Sequence, residues 1–201
     1  MTSSQNRVMH ILFMLIITLV FGTVAGFGGF LHYNYPKLLD YFTCNGIDKT
    51  SPQGKATCDN FMTGEMSINF ILPLIMAIIS ASIFGSLCLG TQKGNTKVGA
   101  NPMIAIYISL MFFFIIIGIS WSRYYRQLLP CKVASDPGNK ISCTLLADPE
   151  SYKSEVEFFN TIFTPCIGAL TGGGAALCII FIFITYLIMD KSCTLIFKSD
   201  C

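Results

Sequence analysis

Four stretches of the chain, residues 8–31, 67–90, 103–122 and 161–189, are apolar along almost their whole length, and every Lys, Arg, Asp and Glu falls outside them. Each meets or exceeds the roughly 20 residues that a helix needs to cross a hydrocarbon core of about 30 Å. The pattern predicts an all-α membrane protein, a four-transmembrane-helix bundle forming one four-pass domain over residues 1–201. Two longer polar segments, 32–66 and 123–160, connect the first span to the second and the third to the fourth. The connection between the second and third spans, 91–102, is short.

The first apolar run is too long for the usual 7–15-residue core of a signal peptide. It ends at His32, Tyr33 and Tyr35, residues suited to a membrane interface. A retained first helix is the expectation, with cleavage after the small residues at 23–25 as the alternative. Before the third span, Asn101 is placed to cap and Pro102 to occupy the first helical position. In the segment preceding the fourth span, Asp148 and Pro149 repeat that arrangement. Tyr152, Val156, Phe159 and Phe163 then recur at helical spacing, which predicts an amphipathic start to the fourth helix.

Composition agrees with the pattern. Hydrophobic residues make up 53% of the chain and charged residues 12%, against about 25% charged in soluble domains. Four spans put both termini on one side. The short segments on that side carry Arg7, Lys93, Lys97, Lys191 and Lys198 against Asp190 and Asp200. Their density of positive charge near the span ends favours the cytoplasm for both termini. Each longer segment holds two cysteines, Cys44 and Cys58 in one, Cys131 and Cys143 in the other. Paired cysteines on one side of a membrane point to disulfides in an oxidising compartment. The expected architecture therefore has two disulfide-braced exoplasmic loops, with pairing inside each loop or across the two left open. The plasma membrane or the secretory pathway suits this topology, and the mitochondrial inner membrane also permits it.

Aromatic and basic residues cluster at the outer ends of the first and third spans. Tyr33, Tyr35, Trp121, Tyr124 and Tyr125 suit the headgroup layer, and Arg123 and Arg126 can reach lipid phosphates from there. Near the chain end, Cys193 is a juxtamembrane candidate for palmitoylation. The two helix–loop–helix halves also share a faint repeat, Tyr-x-x-Leu-Leu followed by cysteine, at 35–44 and 125–131.

Small residues supply the strongest pattern inside the spans. Membrane helices associate where small side chains let backbones approach. Gly22 and Gly26 form such a seam in the first span, Ala77, Ala81 and Gly85 in the second, and Gly168, Gly172, Gly173 and Gly174 in the fourth. The third span is bulky throughout. These seams predict packing among the first, second and fourth helices, with Phe112, Phe113 and Phe114 of the third turned to lipid or a partner.

Catalytic chemistry finds little support. Intramembrane charge is absent from the four runs, only His10 and His32 supply imidazole, and there is no Cys-x-x-Cys pair for a metal or redox centre. The glycine triplet at 172–174 lacks the lysine and strand-to-helix setting of a phosphate loop. No enzyme activity, cofactor or nucleic-acid partner is expected. The layout is similar to that of claudin-like proteins, tetraspanins and innexins. It has neither the Trp-x-Leu-Trp of claudins nor the Cys-Cys-Gly of tetraspanins, and it is short for an innexin. The function expected is that of an accessory or scaffold subunit, bound to lipids and to other integral membrane proteins through its small-residue faces. The alternatives are a cell-surface adhesion or junction protein, or a pore-forming homo-oligomer.

Overall fold

A computed structural model describes residues 3–35, 44, 50–92, 100–134, 161 and 164–196. Among these residues all regular structure is helical: α1 (Ser3–Asn34), α2 (Pro52–Met66), α3 (Leu72–Gln92), α4 (Ala100–Ala134) and α5 (Thr164–Ile196). A π-helical segment, Ser67–Ile71, joins α2 directly to α3. Four segments, Arg7–Asn34, Pro52–Gly90, Asn101–Arg123 and Pro165–Ile188, are long and apolar enough to cross a membrane.

The helix that carries the second apolar run thus begins at Pro52, well before residue 67, with a polar first part containing Lys55, Asp59 and Glu65. Much of the segment expected as an outer loop is helix, started by Ser51, whose hydroxyl accepts from Gly54 N at 3.1 Å, with Pro52 at the first position. The third helix likewise runs on through Ala134. The amphipathic segment expected at 152–163 lies, apart from Thr161, outside the described residues.

A proline sets the π segment. Pro73 has no N–H to offer the carbonyl of Asn69 four residues earlier. The helix widens instead, and Leu72 N–H bonds to Ser67 O, five residues back. The Asn69 carbonyl is then presented to α1, where Gly28 meets it. A Cβ at Gly28 would overlap Asn69 O and lie 2.8 Å from its carbonyl carbon. Only glycine allows that approach, which brings a Cα–H against the carbonyl.

The core is built on a seam of alternating three- and four-residue steps, the spacing of coiled-coil-like bundles. On α1, Arg7, His10, Met14, Ile17, Phe21, Val24, Gly28 and Leu31 are all buried. On α4 the buried series is Met103, Tyr107, Leu110, Phe114, Ile117 and Trp121. On α5 it is Ile167, Thr171, Gly174 and Cys178, with Thr185 further on. Antiparallel contacts pair α1 with α3: Arg7 reaches Leu87 O, Thr18 reaches Ser80, and Gly28 faces Asn69. They also pair α4 with α5, where Gly118 lies against Thr171, Phe114 against Gly174, and Tyr107 against Phe181.

Aromatic rings close the centre. Phe21 and Phe114 stack with centroids 4.2 Å apart, and Phe13 meets both Tyr107 at 4.5 Å and Phe181 at 4.2 Å. Dispersion and shape fit, rather than loss of water, hold such a core in lipid.

This packing corrects the expected role of the third span. It is not an outlying ridge: α4 and α5 share one of the two extensive interfaces of the bundle. Phe114 is 1% exposed, whereas Phe112 is 55% exposed and does face outward. The bulk of Phe114 is accepted because the opposing residue is Gly174, where a Cβ would come within 2.6 Å of the ring.

Candidate functional site

Buried polar side chains gather at the two ends of the bundle. At the end where α2 meets the π segment, Glu65 is 9% exposed. Its Oε2 accepts from Asn69 Nδ2 at 3.0 Å and from Ser120 Oγ at 3.3 Å, and its Oε1 pairs with Arg123 Nη1 at 3.1 Å. His32 of α1 lies within electrostatic range of the same carboxylate, and its Nε2 is buried without a hydrogen-bond partner. Four residues separate Glu65 from Asn69, so the two share one face. That face meets α1 at Gly28 and α4 at Ser120 and Arg123. A carboxylate with three donors satisfies most of its lone pairs, the condition under which a buried charge is tolerated.

At the opposite end, Arg7 is 5% exposed and gives Nε–H and Nη2–H to Leu87 O, at 3.1 and 2.8 Å. The guanidinium fits because residue 90 is glycine; a Cβ there would lie 3.0 Å from Arg7 Cζ and overlap Nη2. His10, one turn further along α1, is hydrogen-bonded through Nδ1 to the hydroxyl of Tyr107. Both of these side chains are fully buried. Arg7 Nη1, His10 Nε2 and Thr185 Oγ1 are buried with no hydrogen-bond partner. Between the two ends, Thr18 donates to Ser80 Oγ at 3.0 Å, and the Ser80 hydroxyl donates to Ala77 O at 3.0 Å.

The sequence-predicted site residues divide sharply. Cys44 and Cys58 form a disulfide with Cα atoms 5.3 Å apart, and both are buried. Cys131 falls on the backbone of α4, and Cys143 lies outside the described residues. Of the aromatics expected at the membrane interface, Tyr33 is 86% exposed, and Tyr35 packs edge-on to Phe30 with centroids 5.8 Å apart. Trp121, expected at the lipid interface, is instead buried, because it continues the Tyr107–Phe114–Ile117 seam. Arg123 is ion-paired to Glu65, its side chain still 67% exposed. Tyr124, Tyr125 and Arg126 fall on the backbone of α4 and Cys193 on that of α5.

Most of the predicted small-residue seams are not where this chain packs against itself. A Cβ at Gly22, Gly26, Gly85, Gly168, Gly172 or Gly173 would meet nothing within 4 Å. Ala81 is exposed, and Ala77 is partly buried against the core. Gly174 alone of the triplet is used, by Phe114. The glycines that permit close approach are Gly28, Gly29, Gly90, Gly118 and Gly174.

The Glu65 cluster and the Arg7–His10–Tyr107 cluster were missed because each group lies just outside an apolar run or singly within it. A partial signal existed in the polar residues of the spans, although Thr23, Ser82, Ser86 and Ser109 are exposed and bond back to their own helices. Arg7, His10, Ser80, Tyr107, Ser120 and Thr171 all sit on buried positions. Among the described residues, no group of three or more His, Cys, Asp or Glu side chains converges to hold a metal ion. No family model, curated protein or solved structure matches the chain.

Proposed function

We propose that the chain is a non-enzymatic integral-membrane subunit that associates laterally with other membrane proteins and assembles, stabilises or modulates a larger complex. One observation carries this reading. The bundle closes on its own heptad-like seam, yet α1 and α5 each keep a second set of small residues outside it. Gly22 and Gly26 on α1, and Gly168, Gly172 and Gly173 on α5, have open space where a side chain would be. Glycine in a helix interior is destabilising by roughly 0.5–1 kcal/mol relative to alanine. In membranes, such flat surfaces favour close contact with another helix.

Purification in mild detergent followed by mass spectrometry tests the reading. Stoichiometric subunits of different sequence, lost from Gly26→Leu or Gly173→Leu chains that still fold, are the expected outcome. A homomeric ring would favour pore formation instead. Unchanged co-purification from both folded variants would overturn the assignment of these faces to a partner.

A further inference from the structure

We propose that the Glu65 carboxylate is a latch that holds shut one end of a hinged bundle, in which α1 and α3 move as one rigid pair and α4 and α5 as the other. Within each pair the helices are locked by close-fitting contacts. Gly28 lies against the backbone carbonyl of Asn69, Arg7 Nη2 donates to Leu87 O at 2.8 Å, and Thr18 donates to Ser80. In the second pair, Gly118 lies against Thr171, and the ring of Phe114 fills the space at Gly174. Interdigitated packing of this kind resists sliding.

The contacts between the pairs are of another kind, and they are unevenly placed. Toward the start of α1, Phe13 meets Tyr107 and Phe181 with centroids 4.5 and 4.2 Å apart, and the buried His10 and Tyr107 are hydrogen-bonded. Midway, Phe21 and Phe114 stack with planes 5° apart, and flat parallel faces can slip over one another. At the far end, Glu65 joins the pairs. It stands near the end of α2, which continues through the π segment into α3, and it accepts from Ser120 and Arg123 of α4. The bond from Ser120 is long, at 3.3 Å, and Arg123 is 67% exposed, so water competes for this junction. A sealed cluster of rings at one end and a screened ion pair at the other make a hinge and a latch. Opening swings α4 and α5 away from α1 and uncovers Leu31, Asn69, Ser120 and Trp121, all buried in the closed bundle.

The test reads distances by pulsed electron paramagnetic resonance on the full chain in nanodiscs. Spin labels are carried on encoded keto amino acids, so that the native cysteines stay untouched. One label pair, at Asn34 and Ser122, spans the Glu65 end, and a second, at Val8 and Ile108, spans the His10 end; all four positions are exposed. The wild type is expected to show one predominant distance for each pair. Glu65→Gln should lengthen the Asn34–Ser122 distance by roughly 5 Å or more, the order of one helical turn, and leave the Val8–Ile108 distance unchanged. Arg123→Gln should shift it in the same direction, whereas Arg123→Lys, which keeps the charge, stays closed. Should Glu65→Gln fail to fold, Arg123→Gln carries the test, because its side chain is mostly exposed. An unchanged Asn34–Ser122 distance in the folded variants would overturn the latch. Equal lengthening at both ends would overturn the hinge, since the bundle would then be loosened as a whole.

Discussion

Neighbouring glycines of one triplet have opposite roles. Gly174 faces Phe114, whose ring is stacked on Phe21 with an interplanar angle of 5°. A methyl group at 174 must push that ring, and with it the stack at the bundle centre. Gly173 faces open space. We expect Gly174→Ala to lower stability by about 1–3 kcal/mol, the usual range for overpacking a close-packed site. Gly173→Ala should leave stability unchanged or raise it slightly, because alanine is the better helix former. Unfolding of both variants in one detergent provides the comparison. Gly28 is the stricter case, since its neighbour is a backbone carbonyl that cannot rotate out of the way.

At the scale of the element, the polar cluster around Glu65 is what ties α2 to its neighbours. Glu65 shares a face with Asn69 and reaches Ser120 and Arg123 of α4, so its carboxylate links α2 to α4. A double-mutant cycle with Glu65→Gln and Arg123→Gln measures this. We expect a coupling of about 0.5–1 kcal/mol in the full-length chain, modest because Arg123 is largely exposed. A coupling indistinguishable from zero would mean that this pair does not tie α2 to α4.

At the scale of the molecule, two antiparallel pairs, α1 with α3 and α4 with α5, meet through aromatic side chains, and the Cys44–Cys58 bond ties the chain between α1 and α3. Its sequence separation is 14, and closing a loop of about this length stabilises by about 3 kcal/mol in the chain-entropy model. Reductant should therefore lower the unfolding temperature of the wild type, and Cys44→Ser should show the same lowering with no further response to reductant. An unchanged unfolding temperature on full reduction of this pair would show that the bond does not stabilise the fold.

The number of spans was legible in the sequence because crossing lipid demands long uncharged runs, and the 8–31, 67–90, 103–122 and 161–189 runs have no other physical use. The Cys44–Cys58 pair was legible as one of the possible pairings. Which face of each helix turns inward was not, because lipid-facing and core-facing residues are equally apolar. Leu19 and Ile119, at 62% and 61% exposure, look no different in composition from the buried Ile17 and Ile117. Small residues were equally ambiguous, since glycine serves close packing at 174 and open surface at 172 and 173. Only the tertiary structure decided between them. There, the ring of Phe114 needs the space that Gly174 leaves, and the carbonyl of Asn69 comes so close to α1 that only a glycine, Gly28, fits against it.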